Sequence, residues 1–261
     1  PDQASYLNNL GNGLRDRYVR MGDRADLDMA IASWQDALHR TPADSPDRPS
    51  ILNNLGMGMS TFYTSTGQAI YLDKALIAFQ EAIDRTPVDS PDLVSRLTNL
   101  GHLLQEQGEP AKARPYFLRA LTASEYLFGP EHPDTARSLN NLGGLLQDMG
   151  DLAGARPYYE QALTIWERVL GPEHPETAAS LNNMGALLRA LGDPAGARPY
   201  YERALAISER VLGPEHPQTA TSLNNLGALL QDMSDLAGAR PDRERALAIS
   251  GRVLGAEHPD T

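Results

Sequence analysis

The chain contains no cysteine, which excludes disulfides, thiolate metal sites and thiol redox chemistry in one stroke and is compatible with a reducing compartment. It also lacks any apolar run approaching the roughly 20 residues that a membrane-spanning helix needs, and Pro1-Asp2-Gln3 does not read as the start of a secretory signal. Basic residues are scarce. Lys and Arg total 23 against 34 Asp and Glu, a net charge of −11, with an isoelectric point near 5.0. Such a surface repels phosphate backbones and anionic lipid, so neither nucleic acid nor a membrane is an expected partner. The first residue is not Met, so the 261 residues are expected to be an excised part of a longer protein.

What is present is repetition. Leu-Asn-Asn-Leu-Gly stands at residues 7–11, 52–56, 139–143 and 223–227, with the variants Leu-Thr-Asn-Leu-Gly at 97–101 and Leu-Asn-Asn-Met-Gly at 181–185. The marker glycines at 11, 56, 101, 143, 185 and 227 are spaced by 45, 45, 42, 42 and 42 residues. Each unit carries a second cluster: Ala113, Phe117 and Ala120; Ala155, Tyr159 and Ala162; Ala197, Tyr201 and Ala204. Residues at i, i+4 and i+7 fall on one helical stripe, and Leu139, Leu142, Gly143 and Leu146 make a similar stripe just before, so each unit is a helix hairpin. In the first two units the second cluster (Ala30, Trp34, Ala37 and Ala75, Phe79, Ala82) lies seven residues further from the glycine, which predicts a longer hairpin loop or first helix.

A single hairpin cannot bury its own apolar face, so neighbours must stack, small residues such as Gly143 and Ala155 letting backbones approach while Tyr159 fills the gap. Gly171-Pro172 and Gly213-Pro214 stop second helices, and His-Pro at 132–133, 174–175 and 216–217 starts the next helix with Pro in its first turn. Pro115, Pro157, Pro199 and Pro241 lie about five residues into the second helices, where a kink or a late helix start is expected.

A large aliphatic, Leu-Gly, then Ala, aromatic and Ala at these offsets resembles the tetratricopeptide repeat along the whole chain. The 42-residue units, with Ala-Arg-Pro-Tyr-Tyr-Glu-Arg-Ala-Leu and Gly-Pro-Glu-His-Pro, resemble the kinesin light chain class. The 45-residue units, with Arg-Thr-Pro-Ala-Asp-Ser-Pro-Asp at 40–47, are similar to repeats found beside caspase-like (CHAT) or nucleotide-binding (NB-ARC) domains, neither of which is present in these residues. The resemblance implies an all-α, right-handed superhelical solenoid of six hairpins forming one domain over residues 1–261. Its repeats are 1–45, 46–90, 91–132, 133–174, 175–216 and 217–258, with a stub at 259–261. It also implies a concave groove, lined by the first helices, that grips an extended peptide.

Asparagine is a poor helix-interior residue, costing roughly 0.5 kcal/mol against alanine, yet the second Asn of the motif occurs in all six units. By the resemblance, Asn9, Asn54, Asn99, Asn141, Asn183 and Asn225 face the groove, where an amide can pair with a peptide backbone. The alternative is that these amides bridge adjacent hairpins, since buried amides find partners. One turn further on lie Asn12, Arg15, Met57, Ser60, His102, Gln105, Gln147, Arg189 and Gln231, which either read ligand side chains or form a solvated polar face. A Lys/Arg clamp for a terminal carboxylate, found in some members of the family, is missing. The matching positions hold Asn or small residues such as Ser95 and Ala179.

The recurring histidines His132, His174, His216 and His258 are one hairpin apart, too far for shared ligation at about 2 Å, and read as turn residues. His39 and His102 are isolated. No phosphate loop, dinucleotide fingerprint, nucleophile elbow or metalloprotease helix occurs, so neither enzymatic activity nor a cofactor is expected. The leading expectation is a protein- or peptide-binding scaffold, a recognition or regulatory segment of a larger cytoplasmic protein. Its rival is a solenoid that self-assembles by stacking end to end. Pro1-Asp2 matches the phase of Pro46-Asp47, and Pro259-Asp260-Thr261 that of Pro133-Asp134-Thr135, so the parent array is expected to continue. Unit six places Asp242 and Arg243 where other units have paired tyrosines, as a polar capping repeat would, and a mainly monomeric chain is expected.

Overall fold

The computed structural model describes residues 3–253, and these are α-helices joined by turns, with no strand among them. Pro1, Asp2, His258 and the stub 259–261 lie outside the described residues. Twelve helices run in order: α1 Gln3–Met21, α2 Arg24–Arg40, α3 Arg48–Thr66, α4 Ala69–Asp84, α5 Asp92–Glu106, α6 Pro110–Phe128, α7 Pro133–Asp148, α8 Leu152–Val169, α9 Pro175–Ala190, α10 Pro194–Val211, α11 Pro217–Asp232 and α12 Leu236–Val253. Each odd-numbered helix is the first of a hairpin and each even-numbered helix the second. The chain divides into two compact units, Pro1–Ala123 and Ser124–Thr261.

In the first unit α1 packs on α2 and α3 on α4, while α2 meets α3 and α4 meets α5 across hairpins. The marker glycine seats the second helix's aromatic ring. A β-carbon at Gly11 would lie 2.5 Å from the Trp34 indole, and one at Gly56 or Gly101 would lie 2.9 Å from Phe79 or Phe117. Trp34 is completely buried and also fills the space over Gly58 of the next hairpin, so one ring closes two interfaces. Burial of a polar hub ties the hairpins further. Arg96, only 5% exposed, donates to the Thr86 hydroxyl, to Ser50 Oγ at 2.9 Å and to Asp92 Oδ2 at 2.8 Å. That burial pushes the Arg96 guanidinium pKa down, opposed by Asp92.

The extra residues of the longer units lie in both helices. α3 ends at Thr66, ten residues past Gly56, whereas α7 ends at Asp148, five past Gly143. α4 begins ten residues before Phe79, whereas α8 begins seven before Tyr159.

In the second unit α7–α8, α9–α10 and α11–α12 form the hairpins, and α8 packs on α9 and α10 on α11. Tyr159 and Tyr201 sit over Gly143 and Gly185 as the aromatic rings do in the first unit. At Gly227 the stem of Arg243 takes that place, its Cγ 2.7 Å from where a β-carbon would stand. Its long methylene stem covers the glycine while the head stays wet, which suits a polar final helix.

One expectation about helix ends, a late start at the prolines, is corrected. The prolines do not delay the second helices: α8 starts at Leu152, with Pro157 inside it, and α10 starts at Pro194, with Pro199 inside it. The starts are fixed earlier, by Asp151 Oδ1 accepting from the Gly154 amide at 2.9 Å and Asp193 Oδ1 from the Gly196 amide at 2.8 Å. Pro157 and Ala153, whose carbonyl loses its helical donor, are both exposed, so that carbonyl is open to solvent and is not a buried orphan. The recurring histidines stand in the turns before the helices, as expected, and there act as N-caps. Nδ1 of His132, His174 and His216 each accepts an amide hydrogen two residues on, from Asp134, Glu176 and Gln218, at 3.1 Å.

Candidate functional site

The repeated polar residues of the first helices collect in clefts between successive first helices, one in each unit. In the first, Ala4, Ser5, Asn8, Asn9, Ser50 and Ile51 line a cleft of about 150 Å³. In the second, Glu176, Ala179, Asn182, Asn183, Gln218 and Asn225 line one of about 340 Å³. The helix period places these side chains on one face because Asn and the following Leu-Gly occupy opposite sides of the same turn.

The asparagines are linked in a fixed pattern. The second Asn of one hairpin donates through Nδ2 to Oδ1 of the first Asn of the preceding hairpin: Asn54 to Asn8 and Asn99 to Asn53 at 3.0 Å, Asn183 to Asn140 at 2.8 Å, and Asn225 to Asn182 at 3.5 Å. The bridging expectation thus describes half of each amide. Of its two N–H donors and its carbonyl acceptor, this bond uses one N–H. Asn9, with no preceding hairpin described, is exposed, while Asn54, Asn99, Asn141, Asn183 and Asn225 are half-buried.

The second row of candidates divides. Asn12 Oδ1 accepts from the Trp34 indole at 3.2 Å, which makes it a support for the core. Arg189 donates from Nε to Asp232 of the next hairpin, and the pair lowers the Asp232 pKa. His102 is exposed but leans edge-on against Phe117, ring centres 5.1 Å apart, and burial of the ring lowers its pKa, with Glu106 and Gln105 opposing. Arg15 Nε and Gln147 Oε1 are shut off from solvent without a hydrogen-bond partner. Met57, Ser60 and Gln105 are half-buried, and Gln231 is exposed. The candidate set omitted the first asparagines, Asn8, Asn53, Asn140 and Asn182.

Among the described residues no group of three or more His, Asp or Glu side chains could hold a metal ion. Burial pushes the Tyr159 and Tyr201 phenols up to about 12, so both stay neutral. No helix among the described residues is long and apolar enough to cross a membrane.

Stacked helix hairpins with an aromatic ring seated on a glycine define a helical-repeat protein of the tetratricopeptide kind. The tetratricopeptide repeat model matches residues 93–165, 138–210 and 179–241, more than half the chain, and the chain belongs to that family. Its members generally mediate protein–protein interaction, and their scaffold is typically non-enzymatic. No curated protein gives a significant match. Similar solved structures include BtubC (BKLC) from P. vanneervenii, 24% identical with a TM-score of 0.70, covering 90% of this chain and 94% of that one. The TPR-like repeats of a putative kinesin light chain from Podosopora anserina are 22% identical with a TM-score of 0.61, over 78% and 97% of the two chains. Pseudomonas aeruginosa pilF is 20% identical with a TM-score of 0.60, over 98% and 93%. At such identities the likeness is one of fold.

Proposed function

We propose that the chain is a non-catalytic peptide-binding scaffold, the recognition segment of a larger cytoplasmic protein, whose first helices hold an extended polypeptide through the second asparagines. One observation carries the reading. Each bridging amide spends one N–H on its neighbour and keeps a carbonyl and a second N–H, the two groups needed to pair with a peptide backbone. The bridge also holds the amide still, which lowers the ordering cost of binding. Side chains such as His102, Gln105, Gln147 and Gln231 then select among sequences. With a net charge of −11, the ligand is protein rather than nucleic acid or membrane.

The test is to pan a random-peptide display library on the chain and titrate an enriched peptide against wild type and an Asn183→Ala/Asn225→Ala variant, with thermal unfolding in parallel. At least tenfold weaker binding by a variant still folded at the assay temperature is expected. Lost stability with unaltered binding would sink the assignment.

A further inference from the structure

At the Asn225–Asn182 bridge the second unit adds one more link. Asn182 is 6% exposed; its Oδ1 accepts from Asn225, and its own Nδ2 donates to Ser222 Oγ at 2.8 Å. Ser222 Oγ is fully buried and donates to the Gln218 carbonyl at 3.1 Å, one turn back on α11. The direction of the chain follows from donor counting. A serine hydroxyl has one hydrogen; Ser208 Oγ also lies 3.5 Å from Ser222 Oγ and either of the two could donate, but with the Ser222 hydrogen on Gln218 or on Ser208 the oxygen can only accept from Asn182. Asn182 must therefore turn its NH₂ toward Ser222 and its carbonyl toward Asn225. Asn225, receiving an acceptor, must turn its NH₂ inward and leave its carbonyl to the cleft. The order Gln218 carbonyl, Ser222, Asn182, Asn225 begins and ends on α11 and passes through α9, so it fixes the amide orientation from two helices.

We infer that Asn182 and Ser222 are positioning residues, which act through Asn225 by holding its amide in one of its two flipped orientations. A flipped Asn225 would present a donor where a carbonyl is wanted, so an unpositioned amide divides its time between a right and a wrong face. The shorter bridges of the first unit lack this link, because Ile51 and Arg96 stand where α11 has Ser222. The positioning itself is a property of the free chain. Its effect on ligand rests on the peptide-binding reading above.

Side-chain ¹⁵N relaxation of the Asn225 NH₂ group tests the positioning without any ligand. In wild type the group is expected to be as rigid as the backbone. In Ser222→Ala and in Asn182→Leu it becomes mobile, while the backbone amides of α11 keep their order. Unchanged Asn225 mobility in a folded Ser222→Ala chain overturns the inference. Should Asn182→Leu fail to fold, Ser222→Ala, which removes one oxygen and no packing of consequence, still decides. With the peptide enriched on wild type, Ser222→Ala is expected to weaken binding about twofold, the population cost of an amide that spends half its time in the wrong orientation. Methylating the peptide nitrogen or replacing the carbonyl that faces Asn225 should then cost wild type more than the variant. If no peptide is enriched at all, the peptide-binding reading fails, and the relaxation measurement still decides whether Asn225 is positioned.

Discussion

The two units build the same hairpin with different parts. In the first, hydrocarbon-rich rings sit on the glycines and a buried arginine, Arg96, gathers Thr86, Ser50 and Asp92 between hairpins. In the second, tyrosines replace the rings, serines occupy the arginine's position, and the helix starts are held by histidine caps. Buried Thr135, Thr177 and Thr219 add latches, each donating to the carbonyl of the glycine six residues before it at 2.7–2.9 Å. One large polar group or several small ones thus close equivalent gaps. The consequence is that the second unit carries a serine–asparagine link at Asn182 and Ser222, where the first unit has none, so Asn225 is held from two helices; at the other bridge of the second unit the matching Ser180 Oγ is buried without a hydrogen-bond partner.

Breaking the ring-on-glycine seat should have the largest effect. Trp34→Ala and Tyr201→Ala each remove a ring that is at most 1% exposed and are expected to cost about 3–5 kcal/mol in urea unfolding. A loss under about 1 kcal/mol at either position would show that its seat does not hold the hairpin. Next comes the arginine hub. Arg96→Ala should cost about 2–3 kcal/mol, because the Thr86 and Ser50 hydroxyls lose a charged partner and a side-chain-sized void opens. The serine counterpart, Ser222→Ala, should cost less than half as much.

Smaller effects separate the helix starts and turns. His174→Ala is expected to cost about 1 kcal/mol and His174→Asn close to nothing, since only the cap acceptor is lost in the first case. Ser234 is the lone non-glycine with positive φ among the described residues, at 63°, and stands where the preceding hairpins have Gly150 and Gly192. Ser234→Gly should therefore raise stability by up to about 1 kcal/mol in thermal unfolding, whereas Gly150→Ser should lower it.

The smallest effect is the pH response of His102. Its folded pKa lies below the ordinary value of about 6.5, so the unfolded chain binds the proton more readily. Stability is then full above about 6.5 and declines as pH falls through the window beneath. His102→Gln should flatten that part of the pH–stability curve, and an identical slope in both proteins would contradict the assignment.

The hairpins, their order and the aromatic seats were readable from the sequence because they depend on local period: Leu-Gly and Ala-aromatic-Ala recur at helical spacing, and stacking follows from the repeat. The extra length of the first two units was visible as well, although its division between both helices required the positions of Thr66 and Ala69. The helix starts at Leu152 and Pro194 were hidden because Pro157 and Pro199 dominate the local signal, while the exposure that makes them harmless depends on tertiary packing. The histidine caps were hidden by chemistry, since imidazole is an uncommon capping group. At the candidate site the face shared by the asparagines could be read from the period. The bond from Asn225 to Asn182 joins residues 43 apart, and only the stacking of hairpins brings them together.

The proposed function requires a peptide lying along the first helices. Chemical-shift mapping of the asparagine side-chain amides with an enriched peptide decides this directly. Binding is predicted to shift the NH₂ resonances of Asn183 and Asn225 by more than any amide on α8 or α10. Shifts concentrated on those second helices, with the asparagines unmoved, would contradict it.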